Sequence, residues 1–135
     1  MIVGIGVDVF AVARIARELA KDACGLREQL FTPGEIAYCE GKRYPAPHYA
    51  VRFAAKEALF KALGAAQVNG ASWREVEVRN ERSGQSHLVL HGRLQDAAAA
   101  LHADRIFVSL SHTRKWAIAN VVLESSEERT EERRD

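Results

Sequence analysis

RFAAKEALFKALG, residues 52–64, places one acid, Glu57, between two lysines, Lys56 and Lys61, in a run that otherwise reads as a helix. Side chains four apart stand above one another on a helix, so Phe53, Glu57 and Lys61 form one stripe. Facing a site rather than bulk water, a carboxylate and an ammonium one turn apart can hold a metal ion and a phosphate together. Facing water, they make an ordinary helix ion pair worth a few tenths of a kcal/mol. Taken alone, the segment favours the plainer pair; the rest of the chain reverses that.

The helix is expected from about His48 to Leu63, with Gly64 as its cap and a loop carrying Gly41, Pro45 and Pro47 before it. Upstream, Thr32, Pro33 and Glu35 form a capping-box signature for a short helix, Pro33 to Glu40. Val12 to Ala23 has apolar residues at a helical period, and Met1 to Phe10 (MIVGIGVDVF) reads as a strand. Gly4 and Gly6 weaken that strand and mark close approach by a ligand or another backbone. Downstream, Gln67 to Ser72 is a loop, Trp73 to Arg79 alternates as a strand, and Ser83-Gly84 turns it into a return strand at His87 to Leu90. An alanine-rich helix, Arg93 to Ala103, precedes two strands, Ile106 to Ser111 and Trp116 to Leu123. The pattern is α+β, an antiparallel sheet with packed helices and no internal repeat.

At 135 residues the chain suits one domain, small for an enzyme that must enclose a large ligand alone. The domain is expected over residues 1–124. The remainder, residues 125–135 (SSEERTEERRD), is charged, lacks an apolar face and is expected to be disordered. Without it the net charge is +3, too mild for a nucleic-acid binder but suited to local contact with phosphates or an acidic partner. Cys24 and Cys39 form neither a CxxC pair nor a disulfide framework and read as small apolar residues. The N-terminus lacks the marks of a signal peptide, and no apolar run approaches the ~20 residues of a membrane helix. A soluble cytoplasmic protein with no membrane partner is expected.

Asp8 is an acid in an apolar strand, costly unless it pairs, ligates a cation or points to the solvent face. SLSHT, residues 109–113, sets hydroxyls and an imidazole at a strand end, a composition shared by ligand sites and turns. Taken in order, GIGxDxxxxxRI (Gly4, Ile5, Gly6, Asp8, Arg14, Ile15), RFAAKEAxxKALG and SLSHT resemble the holo-acyl-carrier-protein synthases, the small 4′-phosphopantetheinyl transferases. The likeness extends through FTPGE near residue 31 and SWREVEV before the hairpin, and covers roughly residues 1–124.

The resemblance implies a homotrimer with active sites at subunit interfaces. It implies transfer of 4′-phosphopantetheine from coenzyme A to a serine of apo-acyl carrier protein, with 3′,5′-ADP leaving, in support of fatty acid biosynthesis. By this likeness Asp8 and Glu57 ligate Mg²⁺, a hard ion that usually takes one or two carboxylates plus phosphate oxygens and waters. Glu57 and Lys61 are the catalytic pair: Lys61 neutralises developing charge, while Glu57 or a metal-bound water takes the serine proton. The likeness also assigns coenzyme A contacts to Arg52, Lys61, Gly64, Ser111, His112 and Thr113, with Arg43 as a looser match. Arg14, with Arg17 one turn on, would dock the acidic helix of the carrier; a solvated helix face is the alternative.

Two departures stand out. Ala11 occupies a place where family members often carry an acid, and Ser86 replaces the usual hairpin proline. Neither removes a residue assigned above. The rival readings are the same transfer onto a polyketide or peptide synthetase carrier, a binding module without transfer, and a purely structural trimer. The presence of Asp8, Glu57 and Lys61 together weighs against the last two.

Overall fold

The computed structural model describes residues 1–21, 25–64 and 67–127. Cys24, the end of the expected first helix and residues 128–135 of the expected tail lie outside the described residues. Among the described residues, five strands and five α-helices follow one another as β1 (Ile2–Ala11), α1 (Val12–Lys21), α2 (Leu26–Leu30), α3 (Pro33–Glu40), α4 (Pro45–Leu63), β2 (Val76–Asn80), β3 (Ser86–Leu90), α5 (Gly92–Ala100), β4 (Arg105–His112) and β5 (Trp116–Glu124). β1, β5 and β4 form one antiparallel sheet in that order, and β2 with β3 forms a separate hairpin. The α+β class expected from the sequence is the class observed.

α4 is the spine. It packs on β1 and β5, and Ala50, Ala54, Ala55 and Ala58 along it are fully buried. Small residues let a helix lie close to a sheet, and β1 answers with glycines on its helix-facing side. A Cβ added at Gly6 would stand 1.9 Å from the Ala58 carbonyl oxygen, and one at Gly4 would stand 2.3 Å from that of Ala62. The strand glycines therefore mark the approach of another backbone. Further along β1, Phe10 meets Phe53 edge-on at 4.7 Å. The contacts 4–62, 6–58 and 10–53 make α4 run antiparallel across β1, which brings Asp8 to the turn carrying Glu57 and Lys61.

α3 begins as its capping box requires. Thr32 Oγ1 accepts from the Glu35 N–H at 3.2 Å, and Glu35 Oε1 accepts from the Thr32 N–H at 2.9 Å. Glu35 also ties down distant parts of the chain. Its Oε1 takes a hydrogen bond from Lys56 Nζ at 2.7 Å, and its Oε2 takes one from the Val78 N–H at 3.0 Å. Lys56 completes its shell with the Leu30 and Trp73 carbonyls at 2.8 and 3.0 Å. Burial pushes the Lys56 ammonium below its ordinary pKa, and Glu35 partly restores it.

Several boundaries differ from expectation. α4 starts at Pro45, three residues early, because prolines in a first turn give up only N–H groups that have no helical partner. Trp73–Glu75 is a single 3₁₀ turn capped by Ser72, and the strand begins only at Val76. α5 ends at Ala100, before His102, whose φ of 57° is left-handed. The folded part also passes the expected boundary at residue 124. Ser125 is buried and exchanges bonds with Met1, and the Ser126 N–H donates to Asp104 Oδ1 at 2.8 Å.

Candidate active site

Alternation along β1 turns Gly4, Gly6, Asp8 and Phe10 toward α4 and leaves Ile5, Val7 and Val9 outside. Asp8 therefore lies on the helix side, with 15% of its side chain exposed. Lys61 Nζ reaches down from α4 to Asp8 Oδ1 at 3.0 Å and to the Val7 carbonyl at 3.1 Å. Glu57 is half-buried, one turn earlier on the same stripe. Its carboxyl is held above the usual glutamate range by burial first and by the Asp8 charge second, while Lys61 and Arg14 pull it down. Asp8, Glu57, Lys61 and Arg14 thus share one electrostatic environment.

The two carboxylates Asp8 and Glu57, with one lysine paired to Asp8, leave negative charge to spare for a cation. Asp8 and Glu57 are hard oxygen donors and suit a hard divalent ion such as Mg²⁺. Among the described residues no group of three or more His, Cys, Asp or Glu side chains is placed to hold a metal.

Arg14 lies 5.2 Å over the Phe10 ring at the near end of α1. Phe53 stacks on Trp73 at 5.0 Å, and Phe60 tilts against the same indole at 4.8 Å. These rings form an apolar wall along the Glu57 stripe.

A second concavity opens where β1 passes into α1. It is a cavity of about 820 Å³ lined by Lys42, Arg43, Tyr44, His48, His112 and Arg114 among others. That size lies in the range of small-molecule sites, and its basic rim suits a phosphorylated ligand. His48 and His112 meet edge-on at 5.2 Å. Burial lowers the His48 pKa below 6.5, and His112, Arg52 and Lys42 lower it further. Thr113 Oγ1 accepts from the Lys115 and Trp116 N–H groups at 3.2 and 3.1 Å, which shapes the β4–β5 turn at the cavity edge.

The sequence-assigned residues thus fall into groups. Asp8, Glu57 and Lys61 converge, with Arg14 nearby. His112, Thr113 and Arg43 line the basic cavity. Arg52 is buried, donating to Asn80 Oδ1 at 2.9 Å and to the His48 carbonyl at 3.3 Å, with its guanidinium 4.0 Å from the Tyr38 ring. It faces the groove between α3 and β2 and does not stand beside Asp8. Ser111 lies on the outward face of β4, paired with Ile118. Gly64 ends α4 with φ 93°, a conformation that favours glycine. Lys42, Tyr44, His48 and Arg114 were not singled out from the sequence. The adjacent Lys42-Arg43 and Arg114-Lys115 pairs were the available signal.

The profile of the 4′-phosphopantetheinyl transferase superfamily matches residues 4–121. The chain belongs to this family. Within it, the chain is 46% identical to the holo-[acyl-carrier-protein] synthase of Geobacter sulfurreducens over 124 residues, covering 92% of this chain and 98% of that one. It is 42% identical to the holo-[acyl-carrier-protein] synthase of Geotalea daltonii, covering 92% and 99%. Among solved structures, the holo-(acyl-carrier-protein) synthase of Bacillus anthracis in complex with CoA (3′,5′-ADP) superposes with a TM-score of 0.76 at 34% identity, over 93% of this chain and 99% of that one. This phosphopantetheinyl transferase therefore carries the family fold from β1 to β5, and the Asp8–Glu57–Lys61 convergence lies within the matched region.

Proposed function

We propose that this chain, as a phosphopantetheinyl transferase of the holo-acyl-carrier-protein synthase type, modifies an apo-acyl carrier protein from coenzyme A at the point where α4 crosses Asp8. The observation that carries the proposal is the meeting of Asp8, Glu57 and Lys61. In the reaction, the carrier serine hydroxyl attacks the β-phosphorus of the coenzyme A pyrophosphate. The bond from that phosphorus to the bridging oxygen breaks, and 3′,5′-ADP leaves. Glu57 or a water held at the site accepts the serine proton. Lys61 places positive charge against the phosphate oxygens as negative charge builds. A Mg²⁺ ion held by Asp8 and Glu57 would supply screening of the pyrophosphate. His112, Thr113 and Arg43, with Lys42 and Arg114, receive the nucleotide end in the basic cavity. Arg52, Ser111 and Gly64 are assigned coenzyme A contacts by family likeness, and Arg14 the acidic carrier.

A homotrimer completes the proposal. The sheet has one face covered by α4, yet its other face shows Ile5, Val7, Val9, Phe107, Trp116 and Ile118, with Ile5 69% exposed. An apolar sheet face of this kind calls for cover, and copies of the chain are the cover the family likeness supplies. A cytoplasmic role in fatty acid biosynthesis belongs to the same reading, supported by 42% and 46% identity, over 92% of this chain, to two holo-[acyl-carrier-protein] synthases.

The test is to incubate the protein with apo-carrier and coenzyme A and to weigh the carrier. A phosphopantetheine mass gain with Mg²⁺ and none with chelator is expected. Undiminished transfer in chelator would refute the metal assignment; transfer confined to polyketide or peptide synthetase carriers would move the pathway.

A further inference from the structure

Lys61 and Asp8 form a contact that a metal ion at Asp8 would have to disturb. Lys61 Nζ donates to Asp8 Oδ1 at 3.0 Å and to the Val7 carbonyl at 3.1 Å, so the ammonium lies against the strand over the carboxylate. The lysine side chain is 55% exposed and the aspartate 15%, which places Lys61 on the solvent side of its partner. Glu57 is treated differently. It has no hydrogen bond or ion pair with any described residue. One carboxylate of the pair is already neutralised by a cation belonging to the protein, and the other waits for one.

We infer that Lys61 is a placeholder cation on Asp8, released when the anionic pyrophosphate of coenzyme A draws it away, so that metal and coenzyme A bind with positive coupling. The inference rests on the assignment of Asp8 and Glu57 as metal ligands. A divalent ion entering the free site must displace the ammonium from Asp8 or sit beside it, and like charges at contact distance repel. A bound pyrophosphate gives Lys61 a better partner, since both of its oxygen-rich phosphates are anionic. Asp8 is then free for the metal. By linkage, whatever factor coenzyme A adds to metal affinity, metal must add to coenzyme A affinity. Lys61 thereby gains a role before chemistry: it keeps the two carboxylates from being filled by metal until the donor substrate is present.

The experiment measures Mn²⁺ binding to the intact protein by electron paramagnetic resonance, with and without coenzyme A and with no carrier present, so nothing turns over. Mn²⁺ serves as the hard divalent probe, and its binding to coenzyme A in buffer is subtracted. Wild type is expected to bind Mn²⁺ weakly alone and about tenfold more tightly with coenzyme A. Lys61→Met should bind Mn²⁺ more tightly than wild type when coenzyme A is absent, and should keep only the part of the coenzyme A effect that comes from the metal's own attraction to the pyrophosphate. Lys61→Gln, which keeps a donor for the Val7 carbonyl but no charge, should behave like Lys61→Met. If both variants bind Mn²⁺ alone no more tightly than wild type, the placeholder role is overturned while the metal site stands. If Asp8→Asn binds Mn²⁺ as wild type does, the metal assignment itself falls and the inference with it.

Discussion

Lys56 and Glu57 are consecutive on α4 and leave the helix about 100° apart, one into the core and one toward Asp8 and Lys61. Lys56 has no exposed side-chain surface and pairs with Glu35 at 2.7 Å. Glu57 faces the field of Asp8 and Lys61. The first residue fixes how α4 is rotated, and that rotation presents the second. Truncating Lys56 would leave the Glu35 carboxylate buried without its counter-charge, although the Thr32 and Val78 N–H groups still reach it. Lys56→Met is expected to cost about 3 kcal/mol, read from urea unfolding. A loss below about 1 kcal/mol would show that the pair does not hold the helix.

The Lys61–Asp8 contact predicts the opposite balance. It is a solvent-side pair, and such pairs contribute at most about 1 kcal/mol to stability. Lys61→Ala should unfold at nearly the same urea concentration as wild type yet lose most of its kcat, because the ammonium matters more when charge develops than when coenzyme A merely binds. A variant with wild-type kcat and only a raised KM would remove Lys61 from the transition state.

Much of this arrangement was readable along the chain and some of it was not. The Thr32, Pro33 and Glu35 signals act within one turn, so α3 from Pro33 to Glu40 is where they place it. Gly4 and Gly6 announced close approach by a ligand or another backbone, though nothing local said which, or that the backbone was that of α4. The start of α4 was masked because Pro45 and Pro47 read equally as loop residues. α2 is five residues long, too short to show a period, and was not foreseen. Trp73 alternates with its neighbours as a strand residue would, but the chain turns there to set the indole against Phe53 and Phe60. The Lys56–Glu35 pair spans 21 positions, and the basic cavity gathers residues from segments more than sixty positions apart. Contacts of that kind are set by tertiary packing rather than by local pattern.

Gly6→Ala tests the packing that brings the site together. The added methyl would meet the Ala58 carbonyl, a backbone atom that cannot swing aside. Overpacking of this kind costs typically about 1–3 kcal/mol, and α4 must lift from β1 to relieve it. Thermal unfolding should show the loss, and transfer should fall more than stability because Glu57 and Lys61 move relative to Asp8. Unchanged melting and unchanged rate would refute the close approach.

His48 gives a pH signature. Its folded pKa is lowered below 6.5 by burial, then by His112, Arg52 and Lys42. A base with a lowered folded pKa binds fewer protons folded than unfolded, so its contribution to stability is present above pH 6.5 and is lost as pH falls through that window. Imidazole NMR should give His48 a midpoint below 6.5, moving upward when coenzyme A phosphates enter the cavity. A midpoint that ignores coenzyme A would place the nucleotide elsewhere.

The outward sheet face predicts assembly. Val7→Glu puts a charge amid Ile5, Val9 and Ile118, on a face that α4 does not touch. Sedimentation should report a trimer for wild type and smaller species for the variant, with transfer reduced alongside. A wild-type monomer with full activity would contradict sites built between subunits.

The most direct test of the central claim compares transfer by wild type, Asp8→Asn and Glu57→Gln at modest Mg²⁺, following the carrier mass under single-turnover conditions. Each variant keeps the size of its side chain and removes one charged ligand, so the fold should survive while transfer falls by at least about a hundredfold. Near wild-type transfer by either folded variant would contradict the account, because the crossing of α4 over Asp8 would then not be where the chemistry happens.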